Sequence, residues 1–227
     1  ADLCTVQEAE DFVKEVPEKL PFMGTSCCPS WSAMAKKEHP EHADAISMAL
    51  TPMVLTARLV RKQNPESKIV FIGPCTAKKL EALRRSVKSE VDFVLTFEEL
   101  AGMMESKGID YTKLDDDNSD FENASHDGRA FAVAGGVAGR AMLKDAVKGK
   151  YPGYLLEGMA CPGGCVGGAG TLSAVNRAAA AVKRYAKTAS SELASANKYN
   201  DLIPELAGTV SPEVEIAEVL EVQKPVE

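Results

Sequence analysis

Along the 227 residues the apolar positions change period several times. From Val6 to Val16 they recur at helical spacing, with Phe12, Val13 and Val16 sharing one face. Pro29 stands where a helix starts, because its missing N–H is one that a first turn leaves unbonded anyway, and Trp31 to Lys37 continue that helix. Thr51-Pro52 opens another, running to about Lys62 with Val54, Leu55, Leu59 and Val60 apolar. Lys68 to Ile72, KIVFI, predicts a buried strand stopped by Gly73-Pro74. Asp92 to Leu95 predicts a second strand, and Thr96 with Glu99 forms a capping box for a helix to about Ser106. Ala130 to Ala134 predicts a third strand, which Gly135-Gly136 turns into a helix ending near Lys148. Tyr154 to Leu156 predicts a fourth strand, ending at Glu157, and Thr171 to about Ala196 one long alanine-rich helix. Strand–loop–helix alternation of this kind predicts an α/β fold, a parallel or mixed sheet flanked by helices.

Composition narrows the class. Hydrophobic residues make up 45%, charged residues 26%, and the net charge is −7, as in an ordinary globular chain. No basic tract invites nucleic acid, and no run of about 18 apolar residues invites a membrane. The first residues, ADLCTVQEAEDF, lack the basic start and apolar centre of a signal peptide, so a cytoplasmic location is expected. They also lack a methionine and read as the middle of something, an excised piece of a longer protein. Residues 1–205 are expected to form one partial domain. Residues 206–227, ending PEVEIAEVLEVQKPVE, form an acidic tail, either an edge strand or a linker. The acidic segment from Asp110 to Asp127 is expected to be a solvated loop. A calcium loop beginning at Asp115 needs glycine at its sixth position, where Asp120 stands.

The six cysteines are Cys4, Cys27, Cys28, Cys75, Cys161 and Cys165. Disulfide scaffolds are short and secreted, so reduced thiols are expected here. Cys75 follows the strand KIVFI, and Cys161 follows YLL closely. The carboxyl ends of parallel strands are where sites assemble. Gly163, Gly164, Gly167, Gly168 and Gly170 are expected to leave room beside Cys161 and Cys165 for a ligand bulkier than one ion. Cys161, Cys165, Cys75 and one member of the Cys27–Cys28 pair make four thiolates, a set that suits zinc or an iron–sulfur cluster. Zinc ribbons use C-x2-C knuckles, and none occurs here. Cys4 reads as buried filler.

Three segments, TSCCPSW, GPCTAKKLE and EGMACPGGCVGGAG, resemble the three signature segments of the iron-only (FeFe) hydrogenases, in the family's order. The resemblance runs from Ala1 to about Gly170. It implies part of a two-lobed catalytic domain that reversibly interconverts hydrogen with protons and electrons. By motif position, Cys28, Cys75, Cys161 and Cys165 would hold a 4Fe–4S cluster, with Cys165 bridging to a diiron subsite that carries carbon monoxide, cyanide and an azadithiolate. Dedicated maturases install that subsite, so recombinant protein can lack it. Cys27 would be no ligand but a proton-passing thiol, continued by the acids Glu8 and Asp11 and by Ser47, with Glu10 the substitute if the helix shifts by one residue. Lys78 would bond a cyanide, held in turn by Glu81. An ammonium about 4 Å from so much negative charge is favoured by a few kcal/mol before desolvation. Pro52, Pro74 and Met159 would line the diiron pocket. Electrons would leave to a ferredoxin-like cluster domain or another carrier.

The sequence also departs from the family's usual pattern. Gly73 replaces a methionine, Met53 a glutamine, and GGAG the usual GGG. Cys75 and Cys161 lie only 86 positions apart, without the long insertion of standard catalytic members. These features resemble a compact sensory branch, in which turnover is slow and hydrogen acts as a signal. The chain begins just before the Glu8 helix, so the family's upstream segment is expected to be missing. An alternative resemblance is to eukaryotic relatives that carry only iron–sulfur clusters and serve cluster assembly; those typically lack the relay thiol that Cys27 supplies.

Overall fold

The computed structural model describes residues 1–114, 124–130 and 139–208. Helix α1 spans Asp2–Glu15, and its buried residues are Asp2, Cys4 and Glu8. Val13, on the apolar stripe read from the sequence, is 77% exposed. The helix therefore turns a polar face inward, which makes sense only if buried partners wait for those carboxylates. After α1, strand β1 (Met23–Gly24) pairs in parallel with β4 (Leu155–Leu156). Nothing in a two-residue Met-Gly announces a strand; distant Leu156 supplies its ladder. Helix α2 (Pro29–Glu38) follows, then a 3-10 turn at Pro40–Ala45 and helix α3 (Pro52–Gln63). Both helices carry proline in their first turn, as expected.

Strand β2 (Val70–Gly73) pairs in parallel with β3 (Phe93–Thr96), separated by helix α4 (Ala77–Leu83). Helix α5 (Phe97–Ser106) begins with the expected capping box: Glu99 N–H donates to Thr96 Oγ1 at 3.1 Å, and Thr96 N–H donates to Glu99 Oε2 at 2.8 Å. Helices α6 (His126–Ala130), α7 (Gly139–Val147), α8 (Val175–Ala186) and α9 (Ile203–Ala207) complete the described elements. The result is α/β, with parallel strand pairs flanked by helices. Among the described residues no helix is long and apolar enough to cross a membrane.

Several expectations change. The run KIVFI is not buried throughout, since Val70 and Ile72 are each 42% exposed. Only one side of β2 is covered. Ala130 closes α6 rather than opening a strand, and residues 131–138, with Gly135-Gly136, lie outside the described residues, as do 115–123 of the acidic segment and the tail from residue 209. The alanine-rich helix stops at Ala186, ten residues early. The cause is long-range: His126 N–H donates to Ser191 O at 2.7 Å and Asp127 N–H to Glu192 O at 3.2 Å. Carbonyls of this segment satisfy the first amides of α6, a task they could not perform inside a helix. At the other end Arg58 donates to Ala207 O at 2.8 Å and Leu206 is buried, so packing reaches past residue 205.

The core gathers around Trp31, the only tryptophan. A Cβ on Gly24 would lie 2.6 Å from the indole, and one on Gly158 would overlap it. The ring is thus held between β1 and the segment after β4. Asp2 is the second tie: it accepts from Ser125 N–H at 2.9 Å, Ser125 Oγ–H at 2.8 Å and Asn197 Nδ2–H at 2.8 Å. Asp2→Ala should leave the two buried Ser125 donors unmatched and lower stability by about 3 kcal/mol, while Asp2→Asn should lose less. Urea unfolding followed by circular dichroism measures both.

Candidate metal centre

Three loops meet at the carboxyl ends of the strands. The first, Thr25–Cys28, leaves β1 and ends with Cys28 as the N-cap of α2. The second carries Cys75 between β2 and α4. The third runs from β4 through Cys161 to a 3-10 turn at Cys165–Gly167. Thr25 stitches the first to the third: its N–H donates to Leu156 O at 3.0 Å, and its Oγ1 accepts from Gly158 N–H at 3.1 Å. Gly170 N–H donates to Pro74 O at 2.9 Å and joins the third to the second.

The glycines around Cys161 and Cys165 serve this stitching. A Cβ on Gly168 would lie 2.5 Å from Pro74 O, one on Gly167 would meet Pro162 O, and one on Gly170 would meet Thr96. Their small size lets loop backbones touch one another, rather than leaving space for a ligand as the sequence suggested. Gly163 and Gly164 differ, with φ of +81° and +82°, a region hostile to side chains. They make the sharp turn between the two cysteines.

Cys28, Cys75, Cys161 and Cys165 are neighbours, near enough for the first two to act on the charges of the last two. All are free thiols. Burial pushes the Cys165 thiol up to about 11, and the neighbouring Cys28 and Cys75 sulfurs add to the rise. Cys161 is raised by burial and by the same two neighbours. Among the described residues, however, no three Cys, His, Asp or Glu side chains converge as they would on one metal ion. A tetrahedral zinc site would bring its sulfurs to about 4 Å of each other. Four neighbouring cysteines on three loops are a donor set that an iron–sulfur cluster can take.

A buried cation stands beside them. Lys78 Nζ lies 2.6 Å from Glu81 Oε2, both buried, and donates to Cys27 O at 3.4 Å. Lys79 pairs with Glu99 at the surface. Lys78 thus has the partner the sequence suggested, and its charge also lowers the Cys165 thiol against the other influences.

Cys27 occupies a different setting from Cys28. Its sulfur lies 4.0 Å from Thr25 Oγ1. Burial pushes its thiol far up, and Glu8 and Cys4 push it further. Cys4, expected as filler, is indeed buried, and burial with the nearby Glu8 raises it to about 12. Glu8 Oε1 accepts from Ser26 N–H at 2.8 Å and Ser26 Oγ–H at 3.2 Å, and Ser47 also bonds the carboxylate. Burial nevertheless raises the Glu8 carboxyl, with Glu157 contributing. Cys27, Glu8 and Ser47 thus come together. Asp11 does not join them: its carboxyl, raised by partial burial, senses Lys14, Glu15 and Glu10 instead. Glu10 points to the surface and pairs with Lys14. Thr25, Ser26 and Glu157 went unnoticed in the sequence. Thr25 and Ser26 sit in TSCCPSW itself, but their roles depend on β4.

Pro52, Pro74 and Met159 line different cavities. Pro74 and Cys165 border an apolar groove of about 480 Å³ between α5 and α8. Pro52 lies with Phe71 against β2. Met159 packs with Trp31 near Arg140.

Because burial raises Glu8 in the folded chain, the native state binds a proton more readily than the unfolded chain does. This contribution favours folding least above the folded value, so stability falls as pH climbs from the unfolded carboxylate range near 4.5. Glu8→Gln keeps the acceptor for Ser26 and removes the charge. Its stability relative to wild type should rise from about pH 4 to about pH 8, read from urea midpoints; a pH-independent difference would refute the burial effect.

Comparison with known proteins agrees with this geometry. The family model "Iron only hydrogenase large subunit, C-terminal domain" matches residues 1–147 and 139–169. The periplasmic Fe hydrogenase large subunit of Nitratidesulfovibrio vulgaris is 36% identical over 172 residues, covering 67% of this chain and 41% of that protein. A cytosolic Fe-S cluster assembly factor NAR1 from Sclerotinia sclerotiorum is 30% identical over 137 residues, covering 50% of this chain and 24% of that protein. The chain therefore spans well under half of these relatives. Among solved structures, an apo FeFe-hydrogenase HydA1 variant from Chlamydomonas reinhardtii superposes with a TM-score of 0.67 at 20% identity, covering 96% of this chain and 80% of that one. The chain belongs to the iron-only hydrogenase family, matching the C-terminal domain of its large subunit, and it has that family's fold.

Proposed function

We propose that this chain is the cluster-holding part of an iron–sulfur oxidoreductase that interconverts hydrogen with protons and electrons. One arrangement carries the reading: four neighbouring thiols, with a buried lysine and the Cys27–Glu8–Ser47 group alongside. Cys28, Cys75, Cys161 and Cys165 would hold the 4Fe–4S cluster, and Cys165 would also touch the diiron subsite. When bound, these groups supply the electron storage and the hydrogen-splitting chemistry.

The chain's own residues supply the rest. Cys27 keeps its proton in its buried setting, so it offers an S–H to whatever lies before it. Glu8, raised by burial, can take up and release a proton while Ser26 and Ser47 hold its carboxyl in place. Lys78, fixed by Glu81, presents a positive charge to an anionic cofactor. Asp11 would serve as the outer acid only through an intermediate carrier. Electrons would pass to a ferredoxin-like cluster domain or a separate carrier, and maturases would install the diiron unit in the cytoplasm. A sensory use of the site draws support from Gly73, where the Phe71 ring stands 2.7 Å from the position a Cβ would take and would have to move for the family's methionine.

The likeness to cluster assembly factors favours a second reading, a cluster-binding protein without turnover. Iron and sulfide analysis of anaerobically purified protein, before and after diiron reconstitution, separates the two. About four irons rising to about six, with carbonyl and cyanide infrared bands, is the expected result. Cys27→Ala should then keep its iron and lose hydrogen uptake by about 100-fold or more. Four irons with no gain would favour the second reading, and zinc in their place would sink both.

A further inference from the structure

Thr51 is the N-cap of α3, a position where a threonine hydroxyl ordinarily accepts from an amide of the first helical turn. Here it caps nothing. Its Oγ1 is buried with no hydrogen-bond partner in the protein. Buried hydroxyls are rarely left so, because losing water without replacement is costly.

The hydroxyl borders a cavity of about 20 Å³, shared with Ser26, Ser32, Glu81 and Arg84. Ser26, Ser32, Thr51 and Glu81 are all less than one-tenth exposed. That volume suits a single water, which needs about 10–15 Å³ and two to four polar partners. The partners are available. Lys78 occupies one oxygen of Glu81, and the other can accept. The single Ser26 Oγ–H is shared between Ala49 O at 2.6 Å and Glu8 Oε1 at 3.2 Å, and the oxygen keeps a lone pair. Ser32 Oγ–H has only a 3.4 Å contact with Pro29 O. The Thr51 hydroxyl can donate.

We propose that this cavity holds one water molecule, positioned by Thr51, that joins the Glu8–Ser26 network to the Lys78–Glu81 ion pair. Ser26 already donates to Glu8, and Lys78 already reaches the backbone of Cys27. The water would close the circuit behind Cys27. For a proton to leave Glu8, the Ser26 hydroxyl would first turn its O–H from Ala49 O to the water, then take the Glu8 proton on its freed lone pair while its own proton passes through the water to Glu81, each O–H bond breaking as the next forms. The water stands on geometry alone; its use as a proton path rests on the hydrogenase reading.

Crystal structures of the wild-type chain and of Thr51→Val test the water. The expected result is one ordered water bonded to Thr51 Oγ1 and to Glu81 or a serine, gone in T51V. A dry cavity in the wild type overturns the proposal. Stability gives an independent sign. T51V should lower the folding equilibrium constant about tenfold and Thr51→Ser restore it. If the hydroxyl truly lacked a partner, T51V would be as stable as wild type or more so, which also overturns the proposal. For the proton path, iron-loaded protein is assayed for exchange between hydrogen and deuterium oxide. T51V should slow exchange several-fold at unchanged iron content. An unchanged rate with the water present in wild type removes the path and leaves the water. No exchange in wild type removes the hydrogenase reading and the path with it, while the first two measurements still decide the water.

Discussion

The site depends on a very short piece of parallel sheet. Met23 and Gly24 pair with Leu155 and Leu156, and Thr25 extends the contact with a backbone bond to Leu156 and a side-chain bond from Gly158. Sheets this small hold little by themselves. Trp31 supplies the rest by filling the space between Gly24 and Gly158. The side chain that anchors the Cys27–Cys28 loop is also the one that fixes the strand carrying Cys161 and Cys165 to it. The Cys75 loop is then added through Pro74 and Gly170. A loop-by-loop lock of this sort brings the four cysteines together, although neighbouring thiols gain nothing from proximity until protons leave and metal enters.

Electrostatics divide the site into two halves. Among the four cluster-candidate thiols, Cys28 and Cys75 raise Cys161 and Cys165, and Lys78 opposes that rise at Cys165. Behind them Glu8, Cys4 and Cys27 form a buried group in which the carboxylate disfavours ionisation of both thiols. The Glu8–Cys4–Cys27 group and the four cluster-candidate thiols thus abut at the Cys27–Cys28 peptide. Adjacent residues on an extended backbone face opposite ways, which gives Cys27 and Cys28 their different surroundings.

This division explains why α1 is turned polar side in. Asp2 and Glu8 both find buried donors, Asp2 for structure and Glu8 beside Cys27. At Glu8 the hydrogen bonds from Ser26 and Ser47 oppose the cost of desolvation without cancelling it. The exposed apolar Val13, and the open sides of β2 and β3, show that burial in this chain follows partner geometry more than hydrophobicity.

Local features were legible in the sequence because their causes are local. The Thr96–Glu99 capping box and the prolines that open α2 and α3 act within one turn. So were the cysteine-bearing segments, since glycine, proline and cysteine at fixed offsets leave few conformations open. Tertiary structure decided what depends on distant partners. Strand β1 forms because Leu155 and Leu156 pair with it on one side and Ile46 bridges Gly24 on the other, and α8 ends early because the carbonyls of Ser191 and Glu192 are claimed by α6. The glycines near Cys165 are small because Pro74 and Thr96 crowd them, a reason no inspection of the motif contains. Glu8, rather than Glu10 or Asp11, reaches Ser26 because the helix phase is set by packing along α1. Residue types and short spacings therefore named the chemistry, whereas the choice of which acid, which face and which strand required backbone segments to meet across the whole chain.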